Sequence, residues 1–189
     1  MAYLSQAELL KMEFASLGSN VLISTRASIY DAGRIAIGDN SRIDDFCLLS
    51  GKVILGRNVH FAAYSHVAGG EEGVSFGDFS SLAYGCQVFS QSDDYSGETL
   101  TNPTIPAKFK SVTKAGVIIS NHVIIGTNSV VFPGVTIADG CSIGAMSLVN
   151  EDTEEWGIYM GIPARRVKDR SRNLLQIETE YRKQNGSPK

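Results

Sequence analysis

Three histidines, His60, His66 and His122, are the side chains of this sequence whose ordinary titration lies near neutral pH, which makes them the first candidates for moving a proton. His60 stands in NVHFAAY, His66 six positions later in YSHVAGGEEG, and His122 in SNHVIIG. A second polar cluster, Asp93, Asp94, Tyr95 and Ser96, opens a stretch that continues into LTNPTIPAKFK, rich in Pro, Thr and Lys and without a core pattern. A carboxylate beside a histidine orients it as a general base. Asp93 and Asp94 can equally nucleate a loop through an Asx-type turn. Tyr95, Asn102, Lys108 and Lys110 of the same stretch are candidates for touching an acceptor.

The elements that must position these groups are bounded by composition. At 189 residues, 43% apolar and 20% charged, the chain supports one well-buried core with appendages. A net charge of −3 and a pI of about 5.6 lack the basic footprint of a nucleic-acid binder. No stretch approaches the roughly 18 consecutive apolar residues of a membrane span, and MAYLSQAELLKMEFASLG has no basic head followed by an apolar block. The expectation is an unprocessed cytoplasmic protein. Cys47, Cys86 and Cys141 are odd in number and lack C-x-x-C spacing, against a disulfide framework or a structural zinc site.

An aliphatic or Phe residue recurs every sixth position: Leu17, Ile23, Ile29; Ile37 to Val67; Phe76, Leu82, Val88; and Ile119 to Val149. Four residues after each stands a second column, from Val21 to Thr153, that is small except at Glu71 and contains all three cysteines. A period of six with one large and one small inward residue suits a short strand and a tight corner, three such units closing one triangular coil. The coils then stack through parallel ladders. The cysteines read as small corner hydrophobes.

The predicted fold class is therefore an all-β solenoid, a parallel β-helix of about six triangular coils. Short helices are expected before it, from the apolar spacing of Leu4–Leu17, and after it, from Val167–Tyr181. The boundaries are 1–16 for the N-terminal segment, 17–156 for the solenoid with an extruded loop over about 94–117, and 157–189 for the C-terminal segment. Register breaks at 33–36, at 69–75 and at that loop are the places for function. His60 and His66 each precede an inward residue and so fall outside the prism on successive faces.

VIIGTNSVVFPGVTIADGCSIGAMSLV followed by GIPARRVK closely resembles the coenzyme A end of the bacterial hexapeptide-repeat acyltransferases, of the galactoside and colanic-acid acetyltransferase type. The resemblance covers nearly the whole chain. It implies left-handed coils and direct transfer of an acetyl group from acetyl-CoA to a sugar hydroxyl, with no metal. It also implies a C3 homotrimer with sites between subunits. An amino-sugar N-acetyltransferase is the close rival, and a catalytically silent β-helix scaffold a rival of another class.

The same resemblance assigns coenzyme contacts to Gly144 and Ala145, whose small size lets backbone approach the pantetheine arm, and to Gly161, Pro163, Ala164, Arg165, Arg166 and Lys168. The acceptor is expected to be a sugar, held in part by Tyr95, Asn102 and Lys110. Asp93 stands where many members of that family carry the catalytic histidine. His60, His66, Asp93 and Asp94 are therefore the candidates for the base, and His122 falls at a corner. Three histidines in such a fold also resemble the γ-class carbonic anhydrases, but their spacing here does not suit a shared zinc.

Overall fold

The computed structural model describes residues 2–185. Its strands form three parallel faces. The first face holds Ser16–Leu17, Ile35–Ile37, Val53–Leu55, Val74–Phe76, Val117–Ile119 and Thr136–Ile137. The second holds Leu22–Ile23, Arg42–Ile43, His60–Phe61, Ser81–Leu82, Ile124–Ile125, Ser142–Ile143 and Gly157–Gly161, and ends in Ala164–Asp169, which runs antiparallel. The third holds Ser28–Ile29, Leu48–Ser50, His66–Ala68, Gln87–Phe89, Val130–Val131 and Leu148–Val149. Six triangular coils are complete, and Gly157–Gly161 begins a seventh that the hexad pattern alone does not reveal.

The large column fills the axis: Ile23, Ile43, Leu49, Phe61, Val67, Val88, Ile125, Val131 and Ile137 are each 0% exposed. Stacking like on like removes almost every inward aliphatic side chain from water, about 1.5–3 kcal/mol for each. Phe61 meets Phe76 edge to face at 4.7 Å between ring centroids. The small column sits beneath the corners, where the Cys47 and Cys86 thiols donate to the carbonyls of Ala62 and Gly126 at 3.2 Å and Cys141 donates to Glu154 at 3.1 Å.

Three members of the small column depart from it. Gly33 lies in the short helical turn Ala32–Arg34, and the inward place is taken by Ile35. Glu71 turns out to Arg34 in a two-pronged ion pair at 2.9 and 3.0 Å, and Val74 replaces it inside. Ser92 belongs to the loop ladder. In each case the register break inserts residues, so the next inward side chain arrives late.

Most corners are turned by a residue in the left-handed region. At the corner between the first and second faces these are Asn20, Asn40, Asn58, Phe79, His122, Gly140 and Trp156, with φ between 54° and 69°. Asn and Gly tolerate that conformation. Side-chain oxygens of Asp39, Asn121 and Asp139 accept backbone N–H groups of neighbouring coils there at 2.6–2.8 Å.

The flanks differ from the sequence expectation. The N-terminal helix, α1, is only Gln6–Lys11, opened by a capping box between Ser5 and Glu8 and ended where Glu13 takes φ 54°. Ser16 and Leu17 already belong to the first coil. At the other end, Ala164–Asp169 is a strand rather than a helix start, because it pairs back on Gly157–Gly161. Helix α2 begins only at Leu174 and runs to Asn185. Arg170 fixes the passage between them, donating to the carbonyls of His122, Gly140 and Cys141 at 2.7, 3.0 and 3.2 Å.

Candidate active site

The extruded loop leaves the third face after Phe89 and is itself ordered by a small antiparallel ladder, Gln91–Asp93 against Val112–Lys114. Asp93 ends that ladder, and its Oδ2 accepts the Asn102 N–H at 3.0 Å. Lys110 Nζ donates to the Asn102 carbonyl at 2.7 Å. These three predicted residues are thus brought together. Asp93 and Lys110 also line a cavity of about 580 Å³ with Gln91, Pro103, Ala107 and Lys114.

Asp94 has a different task. Its carboxylate accepts from Ser96 N at 2.8 Å and from Thr99 N and Oγ1 at 2.9 Å, holding the loop's first turn. Hydrogen bonds from Ser96 and then Thr99 pull its pKa down to about 2, which makes it a weak base. The Asx-turn alternative describes Asp94 well. The Asn102 side chain also closes a local turn, onto Thr104, at 2.6 and 2.9 Å. Tyr95 is 91% exposed and points away from the fold.

His60 and His66 lie outside the prism on successive faces, as the hexad register predicts, and do not meet. His60 Nε2 lies 3.0 Å from Asp44 Oδ2, and Arg42 donates to the same carboxylate at 2.6 and 3.1 Å. Asp44 is only 4% exposed. Burial alone would raise its pKa, but the hydrogen bonds from Arg42 and then His60 outweigh burial and hold it below the usual carboxylate range. This Arg42–Asp44–His60 group escaped sequence reasoning, although one signal existed. Asp44 occupies the position after an inward residue, where the equivalent second-face corners carry Ser24, Ala62, Ala83, Gly126 and Gly144.

The His66 ring makes no hydrogen bond among the described residues; its register neighbours are Leu48 and Gln87. His122 is at a corner, as expected, with φ 59°, stacked on Phe79 and 3.0 Å from Glu178 of α2. The three imidazoles therefore do not converge, and no group of three or more potential metal ligands occurs among the described residues.

The residues assigned to the coenzyme collect at the C-terminal coils. Gly144 and Ala145 form the corner between the second and third faces, with Ala145 exposed. The Gly161 N–H donates to Ser147 Oγ at 3.2 Å, which ties the hairpin to that corner. Pro163 stands in the hairpin turn, and Ala164 is buried beside it. Arg165 pairs with Glu151 at 3.1 Å and Arg166 with Asp169 at 2.8 Å, whereas Lys168 is exposed and makes no ion pair among the described residues. An open small-residue corner beside exposed basic side chains suits a pantetheine arm and its phosphates.

No family model matches the chain. It is 38% identical over 185 residues, 96% of both chains, to the dTDP-4-amino-4,6-dideoxy-D-glucose acyltransferase of Escherichia coli. Among solved structures it is similar to AntD, an N-acyltransferase from Bacillus cereus in complex with dTDP and 3-hydroxybutyryl-CoA. The TM-score is 0.97 at 47% identity, covering 99% of this chain and 100% of that one. A single-residue variant of AntD bound to dTDP-4-amino-4,6-dideoxyglucose and coenzyme A superposes with a TM-score of 0.95 at 48% identity, covering 97% and 98% of the two chains. Acyl-CoA is accordingly the co-substrate. The chain belongs to the hexapeptide-repeat, left-handed β-helix acyltransferases that act on sugars.

Proposed function

We propose that this protein transfers an acyl group from acyl-CoA to the amino group of a dTDP-linked 4-amino-4,6-dideoxy sugar. The observation that carries this reading is similarity along the full chain to enzymes named for that acceptor and crystallised with it. It replaces the hydroxyl acceptor favoured by the sequence motifs with the amine that stood as their rival. Acetyl and 3-hydroxybutyryl are both candidate acyl groups.

In this reading the neutral amine attacks the thioester carbonyl, the N–C bond forms, the C–S bond breaks, and the proton released by nitrogen ends on the coenzyme sulfur. An amine needs less help from a base than a hydroxyl does, so the histidine missing at position 93 is a smaller loss. Asp93 would accept a hydrogen bond from the amine and hold it in line. His60 and His66 remain candidates for taking the proton, and Asp94 would keep the loop in shape. Gly144, Ala145, Gly161, Pro163, Ala164, Arg165, Arg166 and Lys168 would receive the coenzyme; Tyr95, Asn102 and Lys110 would face the sugar.

The assembly proposed is a C3 homotrimer, in which the loop of one copy lies against the coils of the next and completes each site. The chain is proposed to work in the cytoplasm, where both substrates would be found; no helix among the described residues is long and apolar enough to cross a membrane. The test is thiol release from acetyl-CoA and 3-hydroxybutyryl-CoA with dTDP-4-amino-4,6-dideoxyglucose and with its 4-hydroxy counterpart. Release with the amine alone is expected, and release with the hydroxyl sugar alone overturns the reading. Asp93→Asn should lower kcat at least about 100-fold, the scale of a lost proton-transfer or orienting group.

A further inference from the structure

Asn102, in the extruded loop, is held in a conformation that its sequence disfavours. Its φ is 71°, in the left-handed region, although it precedes Pro103, a setting that pushes a residue toward extended backbone. Three anchors keep it there. Asp93 Oδ2 accepts the Asn102 N–H at 3.0 Å, and Lys110 Nζ donates to the Asn102 carbonyl at 2.7 Å. The Asn102 side chain is turned away from both, accepting from Thr104 N and Oγ1 at 2.9 and 2.6 Å. Backbone strain that is pinned in this way collects where a geometry is put to use.

The groups being positioned are the two carboxylates that open the loop, and they differ. Both oxygens of Asp94 are engaged, Oδ1 by Ser96 N and Oδ2 by Thr99. Asp93 has Oδ2 on Asn102, while its Oδ1 makes no hydrogen bond among the described residues. Asp93 and Lys110 are half-buried in a loop whose Thr101, Asn102, Pro103 and Thr104 are exposed, and both line the 580 Å³ cavity. Lys110 is not paired with Asp93 directly; its ammonium grips the other backbone group of Asn102. An ammonium on the carboxylate itself would occupy the oxygen that a substrate needs. Placed across Asn102, it fixes the carboxylate and leaves one oxygen open.

We infer that Lys110 is a positioning residue for the transfer. By holding Asn102 it fixes the orientation of Asp93, whose open Oδ1 receives the N–H of the acceptor amine. This deepens the function proposed above and rests on it. Lys110 then serves the sugar through Asp93, not by binding it, and kinetics separates the two roles.

The test is steady-state kinetics of the full-length protein with acetyl-CoA and dTDP-4-amino-4,6-dideoxyglucose. The proteins compared are the wild type, Lys110→Met, Lys110→Arg, Asp93→Asn and the double variant Asp93→Asn/Lys110→Met. Lys110→Met should lower kcat about tenfold, the scale of one lost hydrogen bond to a charged group, and leave KM for the sugar within about twofold. Lys110→Arg keeps a charged donor and should recover most of that loss. Once Asp93 is Asn, removing Lys110 should cost less than about twofold more, because the two act as one unit. A rise in KM with kcat unchanged marks direct binding of the sugar and overturns the inference, as does wild-type kinetics in Lys110→Met. A further tenfold loss in the double variant overturns it too, since it marks general loosening of the loop. If the wild type releases no thiol with the amine, the proposed function fails and this inference with it.

Discussion

Replacing Asp44 by Asn keeps the shape of a side chain that is 5% exposed but removes the charge that Arg42 and His60 share. Hydrogen bonds to charged groups are worth about 1.5–3 kcal/mol each. The Arg42 and His60 side chains are 44% and 42% exposed, so water replaces much of what they lose. A net loss of about 2 kcal/mol follows, or about 4–8 °C in Tm for a chain of this length. The pH dependence has a definite sign. The folded pKa lies below the ordinary 3.8, so the stabilisation is complete above that value and is lost as pH falls through the folded pKa. Glu8, Glu71, Asp78 and Asp94 are depressed too but are common to both proteins and cancel in the difference. Thermal melts of wild type and Asp44→Asn should therefore show the wild type ahead at about pH 5 and above, and the two converging below about pH 4. Equal melting temperatures at pH 7, or an undiminished gap at pH 3, would refute the reasoning.

Other substitutions probe the remaining parts of the site. A Cβ on Gly126 would stand 2.4 Å from Ala145 N and 2.7 Å from Gly144 C, so Gly126→Ala must displace the coenzyme corner; steady-state kinetics should show KM for acyl-CoA rising several-fold. Burial pushes the Cys47 and Cys86 thiols up to about 11, and all three thiols are 0% exposed. A disulfide reagent at pH 8 should label none of them in the native protein and all three after denaturation, so thiol release can be followed without background. Arg170→Met strips donors from the His122 and Gly140 carbonyls and should cost about 2 kcal/mol. Faster proteolysis ahead of α2 would report the loosened helix.

The solenoid was legible because one periodicity decides both which residues face inward and how coils stack. A single slip in Ile23, Ile43, Phe61, Leu82, Ile125 and Ile143 would have broken the pattern visibly. The ends were not legible in the same way. Ala164–Asp169 has no hexad of its own, and its strand state comes from pairing with Gly157–Gly161, a contact that local propensity does not encode. Leu4–Leu17 carries helical apolar spacing, yet Ser16 and Leu17 gain more by laddering onto Ala36 and Ile37. Within the site, residue type singled out Asp93, Asn102 and Lys110 one by one, but their grouping comes from the folded loop, whereas Asp44 needed the observation that a carboxylate stands in a column of small residues. The roles of His60 and His66 depend on which surfaces face them in an assembly, and one chain's sequence does not specify those neighbours.

A stack of parallel coils has no inherent end, since every terminal strand offers its hydrogen-bonding edge to another prism. Here the last second-face strand is followed by Ala164–Asp169 running the opposite way, with a register shift at Ile158–Tyr159. At the other end Leu4 N donates to Ile23 O at 2.8 Å, and Leu9 of α1, 2% exposed, plugs the core. Reversal at one end and a lid at the other halt end-to-end growth into filaments. The chain thereby keeps its sides, where the grooves run, as the surfaces left for association.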